Sequence, residues 1–346
     1  MTPQFEISVD GQLGVIALNR PEAINALSRE MIAGISETLA AWREDPSVRA
    51  VLFEGRGPRG FCSGGDVRAV RTAALEGRLA DADAYFAAEY AMNLLIATYP
   101  KPIVAIGHGV VMGGGIGIAG HARFRFAVSK ARFAMPEAAI GFVSDVGVNA
   151  ILANAPEPRA LAFLLAGLPV GGADALTLGL CDAVIAPERL DAARRGIVAA
   201  ATHDKPETAL VMLMQSEGVE AGEATFCVEA DALAEEFLLG TASAIVAAVS
   251  RRAAAEPGFE RLAATLRSRS PRSLEAILQS HRAARKSPEI ATVLAQDLRL
   301  ARFMVRQPDF AEGVRAVLVD KDQQPRWQPQ KVSENARETI SQAVRG

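Results

Sequence analysis

Strands alternating with helices over the first ~190 residues predict an α/β fold with a mainly parallel sheet, because βαβ units cover both sheet faces with crossover helices. Three observations carry this. Apolar, β-branched runs end in turn residues; segments of helical period lie between them; and from Asp191 onward amphipathic helices replace the strands.

The runs "QLGVIALNR" and "VRAVLFEG" read as strands. Between them, "PEAINALSREMIAGISETLAAWREDP" places apolar residues at helical spacing and stops at a proline. The next cycle runs from a polar, alanine-rich helix over about 66–98 through "YPKP" into the strand "IVAIGHG", a short helix over the glycines, and the strand "RFRFAVS". A helix over about 146–166 and the strand "LCDAVIA" follow. Beyond these, "GVRAVLVDKD" is the one further strand candidate. The expected organisation is a core over 1–190 and a mostly helical region over 191–346 that covers it.

With 346 residues, 50% hydrophobic and 22% charged, the chain can bury a full core and form one large domain or two. Thirty-seven basic residues against forty acidic give a net charge of −3, with both signs spread along the sequence, which argues against a nucleic-acid partner. Cys62, Cys181 and Cys227 are an odd number at spacings of neither a zinc site nor a disulfide framework. They point to a reducing compartment, the cytoplasm, and the opening residues carry acids where an export signal needs an apolar run. Residues 102–122 lack any acid, lysine or arginine over a bilayer-spanning length, but their seven glycines each cost a helix interior ~0.8–1 kcal/mol. A buried strand, turn and helix is the expectation there, with no membrane partner.

The obvious motifs fail on inspection. Gly115, Gly117 and Gly120 spell G-x-G-x-x-G, yet Ile116 to Ala122 are too few for a dinucleotide-binding crossover. "GRGPRGFC" lacks the lysine and hydroxyl of a P-loop, and "FCSGG" is no nucleophile elbow for Ser63. Cys62 reads as a small buried apolar group, and His108 and His121 as satisfied core histidines with no metal implied.

Two glycine turns remain, "FCSGGD" and "MGGGIG", each after an apolar strand. Glycine lets backbone N–H groups approach a ligand closely, and two converging N–H groups form an oxyanion hole. The same turns also suit tight packing. The residues alone leave both readings open. After Lys101 the first acid is Glu137.

In the order and spacing of "LNRPEAINAL", "GFCSGGDVR", "HGVVMGGGIG" and "FAMPEAAIGF", the chain resembles the crotonase (enoyl-CoA hydratase/isomerase) superfamily. That resemblance implies a spiral of ββα units and an acyl-coenzyme A thioester substrate, with coenzyme A as part of the substrate and no separate cofactor. It implies oxyanion donors at Ser63 and Gly114, with Gly64, Gly65, Asp66 and Gly113 along the substrate. Homo-oligomers, trimers or dimers of trimers, are common in such relatives.

Hydratases of the superfamily carry a second glutamate where this chain has Gly117, so a two-glutamate hydration site is incomplete here. The "MPE" with Asp145 eight residues after Glu137, together with "DFAEGVRAVLVDKD" and Trp327, is similar to the branch that hydrolyses 3-hydroxyisobutyryl-CoA in valine breakdown. By that resemblance Glu137 and Asp145 are catalytic and Glu89 contacts substrate. A solvated helix position for Glu89 and a helix cap for Asp145 are the structural alternatives. Where the branch reads "IGLFPDVGG", this chain reads "IGFVSDVGVN", so Ser144, Val148 and Asn149 bear on the acyl group preferred. The competing expectations are a hydratase or isomerase using Glu137 alone, and an acyl-CoA-binding scaffold without turnover.

Overall fold

The computed structural model describes residues 3–328 and 330–346. Its strands are β1 (Phe5–Asp10), β2 (Leu13–Leu18), β3 (Ala50–Gly55), β4 (Gly60–Cys62), β5 (Ile103–Gly107), β6 (Val110–Met112), β7 (Phe124–Val128), β8 (Arg132–Ala134) and β9 (Ala183–Ile185). Six of them form one sheet in the order β1-β2-β3-β5-β7-β9. It is parallel except for the β1–β2 hairpin, in which Phe5 pairs with Leu18. The short strands form a second sheet, β4-β6-β8. β3, β5 and β7 are each followed by a short strand, the repeating unit expected of the fold.

The chain divides into two compact units, each assembled from separated segments rather than by a single cut near residue 190. The first comprises the residues up to Gly65, Ala91–Phe133 and Val170–Ala224; the second comprises Asp66–Tyr90, Ala134–Pro169 and Thr225–Gly346.

In the first unit β2 and β5 are buried along their whole length, as parallel strands covered on both faces must be. One face packs Leu52, Val104 and Phe126 against Ala193, Ile197 and Leu210 of the helices Leu190–Thr202 and Pro206–Glu217. The helix Arg29–Glu44 begins at Ser28, whose hydroxyl accepts from the Met31 amide at 3.2 Å. That cap contributes about 1 kcal/mol. The seven residues before it, Pro21 to Leu27, are a 3-10 turn and a left-handed bend rather than the helix expected of them.

In the second unit the helix Pro271–Ala284 is buried through Leu274, Ala276, Ile277 and Leu278, and the helix Glu157–Ala166 is buried from Ala160 to Ala166. The helix expected over 66–98 is interrupted: one segment covers Val67–Leu75 and another Leu79–Ala97, with Gly77 at φ +76° between them. The one expected over 146–166 breaks likewise before Pro156, leaving Val148–Leu152 as a short helix of its own. "GVRAVLVDKD" is helical through Val319 instead of a strand. Its apolar residues Val314 and Ala316 are buried while Arg315 between them is only half-buried, a pattern that alternation along a strand mimics over so short a span.

Candidate active site

In the first unit the two glycine turns touch. A Cβ built on Gly64, whose φ is +111°, lies 3.5 Å from the Gly114 nitrogen and 3.4 Å from the Met112 carbonyl. A Cβ on Gly115 meets the Cys62 carbonyl at 2.6 Å. Only glycine permits this approach, so the packing reading and the ligand reading of these turns share one geometry.

The bend before the first helix holds the first turn in place. Asn25, fully buried at φ +55°, donates its amide to the carbonyls of Arg56 (3.0 Å), Gly60 (3.1 Å) and Phe61 (3.0 Å) and accepts from the Arg20 amide at 2.8 Å. That is the physical content of "LNRPEAINAL". The Leu27 amide then donates to the Gly64 carbonyl at 2.8 Å.

Ser63 is corrected here. Its amide donates to the Ile24 carbonyl at 2.9 Å and its hydroxyl to the Ala23 carbonyl at 3.0 Å, so the expected oxyanion donor is already engaged in holding the turn. Two residues on, the Gly65 amide donates to no protein acceptor among the described residues, nor does that of Gly114, which opens the helix Gly114–Ala119. The Cys62 thiol is buried and donates to the Asn25 carbonyl at 3.2 Å, the structural role expected of it. His108 and His121 are only half-buried, not core residues, and His108 Nε2 lies 2.9 Å from the Gly57 carbonyl. Among the described residues no cluster of His, Cys, Asp or Glu is arranged for a metal.

The second unit gathers the acids. Glu137 opens a 3-10 turn after Pro136, Asp145 follows in the next loop, and Glu89 sits on the helix Leu79–Ala97; they are 7%, 5% and 2% exposed. The solvated alternative for Glu89 is therefore excluded. Glu89 Oε1 has no hydrogen-bond partner among the described residues, which makes the ionised carboxylate costly there. The Tyr90 hydroxyl donates to Asp145, and the Ser144 hydroxyl reaches Glu137 Oε2 at 3.5 Å. Asp145 does not cap a helix: Gly147 holds the cap position of Val148–Leu152 with no side-chain bond, and its amide donates instead to Asp297 at 2.8 Å. Asp66 does cap, accepting from the Ala69 amide at 3.4 Å at the start of Val67–Leu75.

Burial, followed by the charge of Asp145, pushes the Glu137 and Glu89 carboxyls well above the usual range. Asp145 rises to about 7, mainly through burial, against a lowering by the Tyr90 hydrogen bond. Asp297, fully buried, is raised by the same causes. Asp145 therefore binds a proton in the folded state that it has lost when unfolded between about pH 4 and 7, and its contribution to stability disappears as pH rises through about 7. Urea midpoints of the wild type should fall over that window, and Asp145→Asn should flatten the fall. Equal slopes in the two proteins would contradict this electrostatic reading.

Tyr90 and Asp297 were not expected from sequence. Asp297 had a signal: it falls on the apolar stripe Val293, Leu294, Leu300, Ala301 and Met304 of Ile290–Val305, where a charge is out of place. The loop variants of the sequence also find partners. Asn149 donates to the Ser144 carbonyl and the Ser280 hydroxyl, both at 3.3 Å, and its Oδ1 meets His281 Nδ1 at 3.1 Å. Burial lowers the His281 pKa to about 3, so that ring is neutral. Phe86 stacks on Phe142 at 5.1 Å, and Phe142 meets Phe310 at 5.5 Å, giving the acid cluster an apolar flank.

Free backbone amides at glycine turns in one unit, and buried acids of raised pKa in the other, are the kinds of group that acyl transfer and enolate formation use. The family profile of enoyl-CoA hydratase/isomerase matches residues 13–344, and the chain belongs to that family. Within it, the chain is 35% identical over 325 residues to the mitochondrial 3-hydroxyisobutyryl-CoA hydrolase of Xenopus tropicalis, covering 94% of this chain and 84% of the relative. The human mitochondrial enzyme of that name is 33% identical over 334 residues, covering 96% and 86%. Among solved structures, a carnitinyl-CoA dehydratase from Mycobacterium thermoresistibile superposes with a TM-score of 0.89 at 35% identity, covering 98% of this chain and 96% of the other. An enoyl-CoA hydratase from Rhodobacter sphaeroides gives 0.87 at 31% identity, covering 98% and 97%.

Proposed function

We propose that this chain hydrolyses a short branched 3-hydroxyacyl-CoA thioester, 3-hydroxyisobutyryl-CoA in the first place. The amides of Gly65 and Gly114 polarise the thioester carbonyl. Glu137 takes the proton of the attacking water, an acid–base role that its raised pKa suits. The water oxygen bonds to the carbonyl carbon, the C–S bond breaks, and the leaving thiolate is protonated, with Asp145 near its midpoint at neutral pH as the donor. Glu89, buried and with its carboxyl pushed above the usual range, presents an unused oxygen to the substrate.

The observation that carries it is Gly117. Its position holds no acid, and its carbonyl accepts from the buried Asn93 amide at 3.0 Å. The second glutamate of the superfamily's two-glutamate hydration site is therefore missing at that position. The names of the frog and human relatives support the same reading.

A second reading, hydration or isomerisation through Glu137 alone, is favoured by the names of the two solved structures. One assay separates them. Hydrolysis of 3-hydroxyisobutyryl-CoA releases a free thiol, whereas hydration of a 2-enoyl-CoA removes the conjugated double bond and leaves the thioester whole. Thiol release is the expected result; double-bond loss without it would transfer the assignment to the second reading.

No helix among the described residues is long and apolar enough to cross a membrane. Cys62, Cys181 and Cys227 are buried and form no disulfide among the described residues, which supports a reducing compartment, of which the cytoplasm is one and the mitochondrial matrix another.

A further inference from the structure

A cleft lies wholly in the second unit, between the helices Ala242–Ala255, Glu260–Ser268 and Pro271–Ala284 and the segment leading into Glu334–Arg345. Its volume is about 500 Å³, within the range of small-molecule sites. Val246, Leu266 and Leu274 give it an apolar wall.

The polar lining is unbalanced. Four cations, Arg267, Arg269, Lys331 and Arg337, face one acid, Glu275. Glu275 is already satisfied by N–H donors, accepting from the Ala242 amide at 3.1 Å and from Gln279 at 3.0 Å. Arg267 pairs with Glu260 at 2.6 Å, outside the cleft lining. The other three cations form no ion pair among the described residues. Arg269 donates Nε to the Ala166 carbonyl at 2.9 Å, and its burial, offset by no acid, lowers its pKa. Arg337 is half-buried, and its Nε, shielded from solvent, meets no acceptor.

Desolvated cations without a counter-charge destabilise a fold, and here Arg269 and Arg337 are both partly desolvated beside the exposed Lys331, an arrangement that an anion in the cleft would relieve. Guanidinium groups match the planar or tetrahedral oxygens of carboxylates and phosphates through paired N–H bonds. The apolar wall adds a preference for an anion with a hydrocarbon body.

We propose that this cleft is a binding site for a small amphipathic anion, its oxyanion head held by Arg269, Lys331 and Arg337 and its body against Val246, Leu266 and Leu274. The two head groups that share this chemistry, phosphate and carboxylate, are separated by the probes. Phenyl phosphate and phenylacetate, titrated calorimetrically into the full chain, should give saturable binding of at least one of them at millimolar concentration, weakening with added salt.

Lys331→Gln with Arg337→Gln should weaken that binding about tenfold or more, the scale of losing charged hydrogen bonds, with thiol release from the acyl-CoA unchanged. Neither residue contributes an ion pair to the fold, and the exposed Lys331→Gln alone, expected to weaken binding several-fold, serves if the double variant unfolds. Binding of the phosphate probe alone or of the carboxylate probe alone supports the site and fixes its head group. Absence of saturable binding by both, or affinity unaltered in the variants, overturns it.

Discussion

Replacing Glu137 by glutamine should lower thiol release about 10²–10⁴-fold, the span associated with loss of a positioned acid–base group. Glutamine keeps the volume and lets the Ser144 hydroxyl still donate to an oxygen at that position. What it removes is the ability to accept a proton in a buried pocket. Because the wild-type carboxyl is raised by burial and by Asp145, the variant also loses a group that is costly to ionise. Its unfolding midpoint at pH 8 should therefore equal or exceed that of the wild type, and the inactive variant should still bind acyl-CoA. Loss of activity together with loss of stability would point to misfolding instead. Full thiol release by Glu137→Gln would remove this residue from the chemistry altogether.

Gly115→Ala should act on the other half of the machinery. The new methyl would meet the Cys62 carbonyl at 2.6 Å and the Cys62 Cβ at 3.0 Å, both on the strand that leads into the first glycine turn. The turn cannot yield easily, because Asn25 pins it to three carbonyls. Displacing the Gly114 amide should reduce kcat about 10²–10³-fold, as loss of one oxyanion donor does, with a stability loss of roughly 1–3 kcal/mol from overpacking. Gly258→Ala is the matching control, since its Cβ meets nothing within 4 Å. A variant with an unchanged kcat would show that the glycine turns serve packing alone.

Much of this was legible in the residues. The apolar runs that became β2, β3, β5, β7 and β9 are read correctly because a parallel strand buried on both faces needs continuous apolar character, a signal that survives without context. The short strands β4, β6 and β8 carry no such signal, being only three residues each. Helix breaks at Gly77 and Pro156 were written in the sequence but outweighed by the helical period around them.

The site was read to within two residues and no closer. "FCSGGD" marks a turn with free amides, but which amide is free depends on the partner across it, here the Ile24 carbonyl from a bend some forty residues earlier. Position in the motif points to Ser63, but the Ile24 carbonyl already takes its amide. Asp145 was assigned an alternative as a cap because acids commonly precede helices; the two residues that intervene, Val146 and Gly147, both with positive φ, turn the chain so that the carboxylate meets Tyr90 instead. Tyr90 and Asp297 belong to helices far apart in sequence, and no local pattern joins them to Asp145.

The central claim is that main-chain amides at Gly65 and Gly114 polarise a thioester carbonyl. The ¹³C resonance of an acyl-CoA labelled at that carbonyl, bound to Glu137→Gln, reads this directly. Polarisation by two N–H donors should move the signal downfield of its position in free acyl-CoA, and Gly115→Ala in the same background should return it toward the free value. A bound carbonyl resonating where the free thioester does would contradict the account.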